Sequence, residues 1–270
     1  MRAGRLKTRR YKVRRGGRGW IVLLLAGVVL GAGAYFWRSG ELSFFMAPAP
    51  TLTPEESAAD ERTLTLSGQT WYTLQLGVFE QQSAAQELAE SYRGRGAGGY
   101  VAGNAPYRVL AAAYESRADA QAVQNQLRTL HGVEAYVAEI SRDEITLRVT
   151  GQKAQLTVLE DAYDTLDQAA RQLASLSQGL DNRELEADAV REAVRSQRAT
   201  VTALADRLRL LFGETPHAAV SGLTGLLSEL SSALEAAVNA AGETRLGAQV
   251  KYCQLLCIAR MADYAAGLAK

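Results

Sequence analysis

Two stretches of the chain repeat one pattern at an offset of 35 residues, and this duplication restricts the possible folds more than any other feature. Tyr72, Phe79, Glu80, Ala85, Gln86 and Arg93 correspond to Tyr107, Tyr114, Glu115, Ala120, Gln121 and Arg128. One inserted residue then shifts the register, and Tyr100-Val-Ala102 matches Tyr136-Val-Ala138. Each copy opens on strand-like alternation. Tyr72, Leu74, Leu76 and Val78 are apolar, whereas Thr73 and Gln75 are polar. The middle of each copy has helical spacing. Gln82 or Ser83 opens the first helix and Ser116 the second, and Ala84, Leu88 and Tyr92, then Ala120, Val123, Leu127 and Leu130, fall on single faces. Glycine-containing turns at Gly94-Arg-Gly96 and His131-Gly132 end both helices.

Strand–helix–strand twice over predicts an α+β, ferredoxin/RNP-like module of order βαββαβ, an antiparallel sheet with both helices on one face. The helices are expected to cover Tyr72, Leu74, Leu76 and Val78. Thr73 and Gln75 then point to the other face, beside Arg108 and Leu110 of the third strand. That face has no evident cover and is the expected binding surface, although many sheets keep one face wet.

The residues carrying these elements resemble those of the SPOR domain, a sporulation-related repeat of bacterial envelope proteins. Leu74-Gln-Leu-Gly-Val-Phe79, Tyr107-Arg-Val109 and Ser116-Arg-Ala-Asp-Ala120 follow its pattern. Ala111-Ala-Ala-Tyr114 departs from the usual Val-Gly-Pro-Phe after the third strand. The resemblance spans residues 70–141 and implies binding of septal peptidoglycan, with a preference for glycan strands poor in stem peptides. It points to Gln75 and Arg108 as the principal contacts, with Thr73, Pro106, Tyr107 and Leu110 around them. Amide and guanidinium groups suit sugar hydroxyl, N-acetyl and lactyl carboxylate groups, and an Arg–carboxylate fork would be the strongest single contact. The alternative is that Gln75 and Arg108 merely solvate an exposed sheet. Tyr107 shares the parity of Val109, which leaves it open between core and site.

The flanking sequence suggests how such a module is held. Residues 1–40 carry ten Lys/Arg and no acid, whereas residues 41–270 carry twenty Lys/Arg against twenty-nine Asp/Glu, a balance of −9. An acidic body opposes general nucleic-acid binding, which depends on neutralising phosphates. An RNA-binding sheet of the same topology is opposed also by the lack of an aromatic pair on the central strands. Trp20–Trp37 is an uncharged, mostly apolar stretch of eighteen residues with aromatic ends, matched to a bilayer core. Nine Lys/Arg precede it within Arg2–Arg18, and Arg38 follows it. The positive-inside rule gives a cytoplasmic basic segment at 1–19, a transmembrane helix at 20–37 contacting the lipid bilayer, and an extracytoplasmic body at the cell membrane. A cleaved signal peptide is the rival, with Ala32-Gly-Ala34 as its cleavage site. No Cys lies directly after the span to make a lipoprotein. Residues 38–69 hold three of the five prolines among acids, Ser and Thr, and are expected to be a flexible linker.

Beyond the module, residues 142–152 alternate over Glu144–Thr150, as a fifth strand or a connector strand would. Residues 153–270 carry an apolar rhythm of 3 and 4, as in Leu156, Leu159, Tyr163, Leu166, Ala170 and Leu173. Breaks at Gly179-Leu-Asp181, Gly213-Glu-Thr-Pro216 and Gly242-Glu-Thr244 divide it into four helices, with Thr215 capping a helix that begins at Pro216. This predicts an all-α antiparallel bundle that binds an unidentified protein partner. Cys253 and Cys257 lie on an apolar stripe and are expected to be buried thiols rather than metal ligands or a disulfide. The chain has only two His residues, and no catalytic or metal constellation is apparent. The expectation is a non-catalytic protein without cofactor that localises to division or sporulation septa and scaffolds envelope partners. The alternative is a targeting subunit or activator of a cell-wall hydrolase.

Overall fold

The computed structural model describes residues 59–213 and 217–268. The expected basic segment, transmembrane helix, most of the linker and the Thr215-Pro216 cap lie outside these. Among the described residues no helix is long and apolar enough to cross a membrane. Leu52–Lys270 forms one compact unit.

The unit begins with β1 (Asp60–Leu66) and β2 (Gln69–Phe79), followed by α1 (Gln82–Arg93), β3 (Tyr100–Ala102) and β4 (Tyr107–Tyr114). Next come α2 (Arg117–His131), β5 (Tyr136–Arg142) and β6 (Ile145–Gly151). Four helices complete it: α3 (Lys153–Asp181), α4 (Ala187–Phe212), α5 (Ala218–Val238) and α6 (Gly242–Leu268). The sheet runs β3-β4-β2-β5 and is antiparallel throughout, with α1 and α2 on one face. Ser116 caps α2, its Oγ accepting from the Ala118 and Asp119 amides at 3.1 and 3.4 Å. Gly132 closes the same helix in the left-handed region, at φ 63°.

Two expectations need correction. The last ten residues of the expected linker are not loose chain: β1 pairs with β6 over its whole length and buries Leu64 and Leu66. The other half of this two-stranded ribbon is β6, from the 142–152 segment, which lies outside the main sheet. Val78 is not under the helices. The β2–β4 register shifts between Gln75 and Gly77, so Val78 pairs with Arg108 on the opposite face and is 49 % exposed, while Phe79 takes its place against α1. Gly77 permits this, because a Cβ there would lie 2.8 Å from the Phe79 ring.

The bundle and the sheet share one core. Trp71, Tyr100, Leu110 and Ala113 belong to the same buried cluster as Leu166, Leu227, Leu256 and Ile258. At their junction the Arg142 guanidinium is buried. It donates to the Ser67 carbonyl at 3.0 and 2.6 Å and to Asp167 Oδ1 at 2.8 Å, joining β5, the β1–β2 turn and α3. The helix breaks fall close to the expected glycines. At Gly179 the chain folds back so tightly that a Cβ would lie 2.6 Å from Leu185, and the Gly179 carbonyl accepts from both Glu184 and Leu185. His217 stands at the N-cap of α5, its Nδ1 accepting from the Ala219 amide at 3.2 Å.

Candidate functional site

The sheet face opposite α1 and α2 is only partly open. Helix α6 packs on β3, β4 and β5, and from Cys253 to Ala259 every one of its residues is buried. One side of this stretch meets the bundle and the other meets the sheet. The small side chain of Ala113 and the bare backbone of Gly98 allow the approach: a Cβ at Gly98 would lie 2.9 Å from Leu255 and 3.0 Å from the Ala111 carbonyl. Polar bonds fix the register. Gln254 Nε2 donates to the Ala113 carbonyl at 3.1 Å, and Lys251 Nζ donates to the Gly96 carbonyl at 3.0 Å and to Asp181 at 2.8 Å. The expected uncovered face is thus half covered by the chain's own last helix.

What remains open is a cleft of about 280 Å³ between the far end of the sheet and the last turns of α6. Five of the six residues singled out in the sequence line it: Thr73, Gln75, Pro106, Arg108 and Leu110, facing Ala259, Ala262 and Asp263. They are not equivalent. Arg108 is exposed and has no ion pair or hydrogen bond among the described residues. Gln75 is half-buried, and Pro106 is exposed at the β3–β4 turn. Thr73 is fully buried and its hydroxyl already donates to the Ala138 carbonyl at 3.2 Å, so it forms floor rather than contact. Leu110 is likewise floor, 2 % exposed within the shared core. Tyr107 lies on the opposite face, packed with Val109, Ala85 and Ala89 beneath α1, and drops out of the site.

Sequence reasoning missed Tyr136. It pairs with Gln75 across β2 and β5, shares the open face, and is 63 % exposed. Its copy in the first repeat, Tyr100, is buried in the shared core and gave no hint of this. The open end thus offers a phenol face, a primary amide and an unpaired guanidinium. Directly paired residues across antiparallel strands stand about 5 Å apart, so Tyr136 and Gln75 address one ligand unit together. An aromatic face suits the C–H side of a sugar ring, the amide its N-acetyl or hydroxyl groups, and the guanidinium a carboxylate. Asp263 and Glu139 at the rim add acceptors for hydroxyl groups.

Among the described residues no group of three His, Cys, Asp or Glu side chains could hold a metal ion. Cys253 and Cys257 are free thiols buried in the shared core. Burial pushes the Cys257 thiol up to about 12 and raises Cys253 in the same direction, with the neighbouring Cys257 adding to the shift. Neither thiol is a nucleophile in this state.

Residues 68–139 and 103–182 match the SPOR domain family. The two matches overlap at β4, α2 and β5, as a duplicated unit allows. No curated protein and no solved structure matches the chain. SPOR domains are in general non-catalytic, peptidoglycan-binding domains tied to division. The first match coincides with the sheet and its two helices, and the second runs on through β6 and α3, so this part of the chain is similar to the SPOR domain family.

Proposed function

We propose that the protein is a non-catalytic, single-pass membrane protein that binds stem-peptide-poor glycan strands at division or sporulation septa and scaffolds envelope partners there. The observation that carries this reading is the unpaired Arg108 beside Gln75 and Tyr136 at the open end of the SPOR sheet. A cation without a carboxylate partner, next to an amide and an exposed aromatic, suits an acidic amino-sugar polymer better than a solvated edge. Trp20–Trp37 serves as the anchor and places the body outside the membrane. The helices after β6 present acidic and basic surfaces to a protein partner.

Septal placement is tested by imaging a fluorescent fusion during division. Enrichment at the septum, diminished by Arg108→Ala with Tyr136→Ala at unchanged protein level, is the expected result. Uniform envelope fluorescence of the parent protein would refute it.

A further inference from the structure

We propose that the chain carries a second binding site, for a single-chain amphiphile with an anionic head, on the helix side of the SPOR sheet. Two cavities meet there. The inner one, of about 400 Å³, lies between α1, α2 and the sheet, with Leu74, Leu76, Ala111, Ala112, Val123 and Leu127 among its walls. The outer one, of about 260 Å³, is polar and reaches Arg183, Glu243 and Thr244. They share Arg95, Gly96, Asp181 and Lys251.

The inner chamber follows from a local feature of β4. Between Thr73 and Gln75 the register slips, so that Ala111 and Ala112 both line the helix side of the sheet. Two methyl groups stand where larger side chains would fill the space under α2. The size lies within the roughly 300–1,000 Å³ of small-molecule sites. Apolar walls such as Leu74, Leu76, Val123 and Leu127 gain contacts when an apolar guest lies against them. Tyr114 in its wall is held neutral, its phenol pushed up to about 12 by burial, so this wall adds no charge against an alkyl chain.

The shared mouth selects the head. Arg95 lies over the Tyr92 ring at 5.1 Å and, like Arg183, has no carboxylate partner among the described residues. Lys251 is buried, and its ammonium gives two N–H groups to Gly96 and Asp181. Its third N–H has no protein acceptor among the described residues, and Asp181 is neutralised by the pairing. Glu243 is the opposing carboxylate, set against two free guanidinium groups. The balance favours an anion at the mouth with its chain directed inward. This site is on the face opposite Arg108, so it stands or falls independently of glycan binding.

The test is calorimetric titration of the Leu52–Lys270 unit, which has its own continuous core, with monomeric dodecyl phosphate, dodecyl maltoside and dodecyltrimethylammonium. Saturable one-to-one binding of the phosphate is expected, roughly tenfold or more tighter than either other head. Arg95→Gln with Arg183→Gln should erase that preference, and Ala112→Leu should abolish binding while sacculus binding persists. Should Ala112→Leu fail to fold, Val123→Phe obstructs the same chamber. Absence of saturable binding, equal affinity for all three heads, or indifference to either obstructing variant would overturn the proposal. So would binding to phosphatidylglycerol vesicles without binding of monomeric dodecyl phosphate, which would assign the charges to a membrane surface.

Discussion

The side-chain amide of Gln254 in α6 donates to the backbone carbonyl of Ala113 in β4 over 3.1 Å, with both groups buried. This bond ties the end of the chain to the middle of the SPOR sheet. It satisfies the Gln254 amide, which is buried in the shared core. Gln254→Leu removes the donor and with it this bond to the Ala113 carbonyl. The expected cost is about 1–3 kcal/mol, seen in urea unfolding as a lower midpoint with an unchanged slope. A midpoint equal to that of the parent protein would show that the contact contributes nothing.

The shared core makes a second prediction about dissection. A fragment of residues 65–142 would expose Trp71 and Leu110, which are 3 % and 2 % exposed in the whole unit, along with Ala113. Such an apolar patch on one sheet face favours association. The fragment is expected to bind a hydrophobic dye and to lack the cooperative melting of the Leu52–Lys270 unit. A sharp transition at the same temperature as the unit would mean that the sheet does not depend on α6.

Much of this arrangement was legible in the sequence. The repeat located both helices and the four strands of the sheet, and the glycine breaks separated the bundle helices, because each signal arises within a few residues of the element it marks. Val78 was misplaced because the shift near Gly77 breaks the period of two, and alternation alone carries no sign of such a shift. The docking of α6 is a long-range event, yet two clues to it were present. Trp71 and Leu110 share the faces of Thr73 and Arg108, which put large apolar groups on a surface assigned to solvent. Cys253-Gln-Leu-Leu-Cys-Ile-Ala259 has almost no polar side, as a helix covered from two directions requires. Tyr136 was missed because its repeat partner is buried, and duplicated sequence does not guarantee duplicated surroundings.

The buried cysteines make stability depend on alkaline pH. In the unfolded chain a thiol loses its proton near 8.5, whereas in the folded state Cys257 holds it up to about 12 and Cys253 is raised as well. Between those values the unfolded chain binds fewer protons, so stability falls as pH rises from about 8.5. Below that value the thiols have no effect. Cys253→Ala with Cys257→Ala should therefore flatten the decline between pH 8.5 and 10.5, measured by urea unfolding at each pH. In the parent protein both thiols should react with a disulfide reagent only at the rate of unfolding. Rapid labelling under native conditions would contradict the burial.

The central claim is that the open end of the SPOR sheet, built by Gln75, Arg108 and Tyr136, holds glycan. Its most direct test is co-sedimentation of the Leu52–Lys270 unit with purified sacculi before and after amidase removal of stem peptides. The account predicts binding that increases on stripping and falls roughly tenfold or more with Arg108→Ala, since a charge-assisted bond is worth about 1.5–3 kcal/mol. Tyr136→Ala should weaken it as well, and Tyr107→Phe, on the other face, should leave it unchanged. Equal sedimentation of the parent unit and of the Arg108→Ala and Tyr136→Ala variants, all folded, would contradict the account.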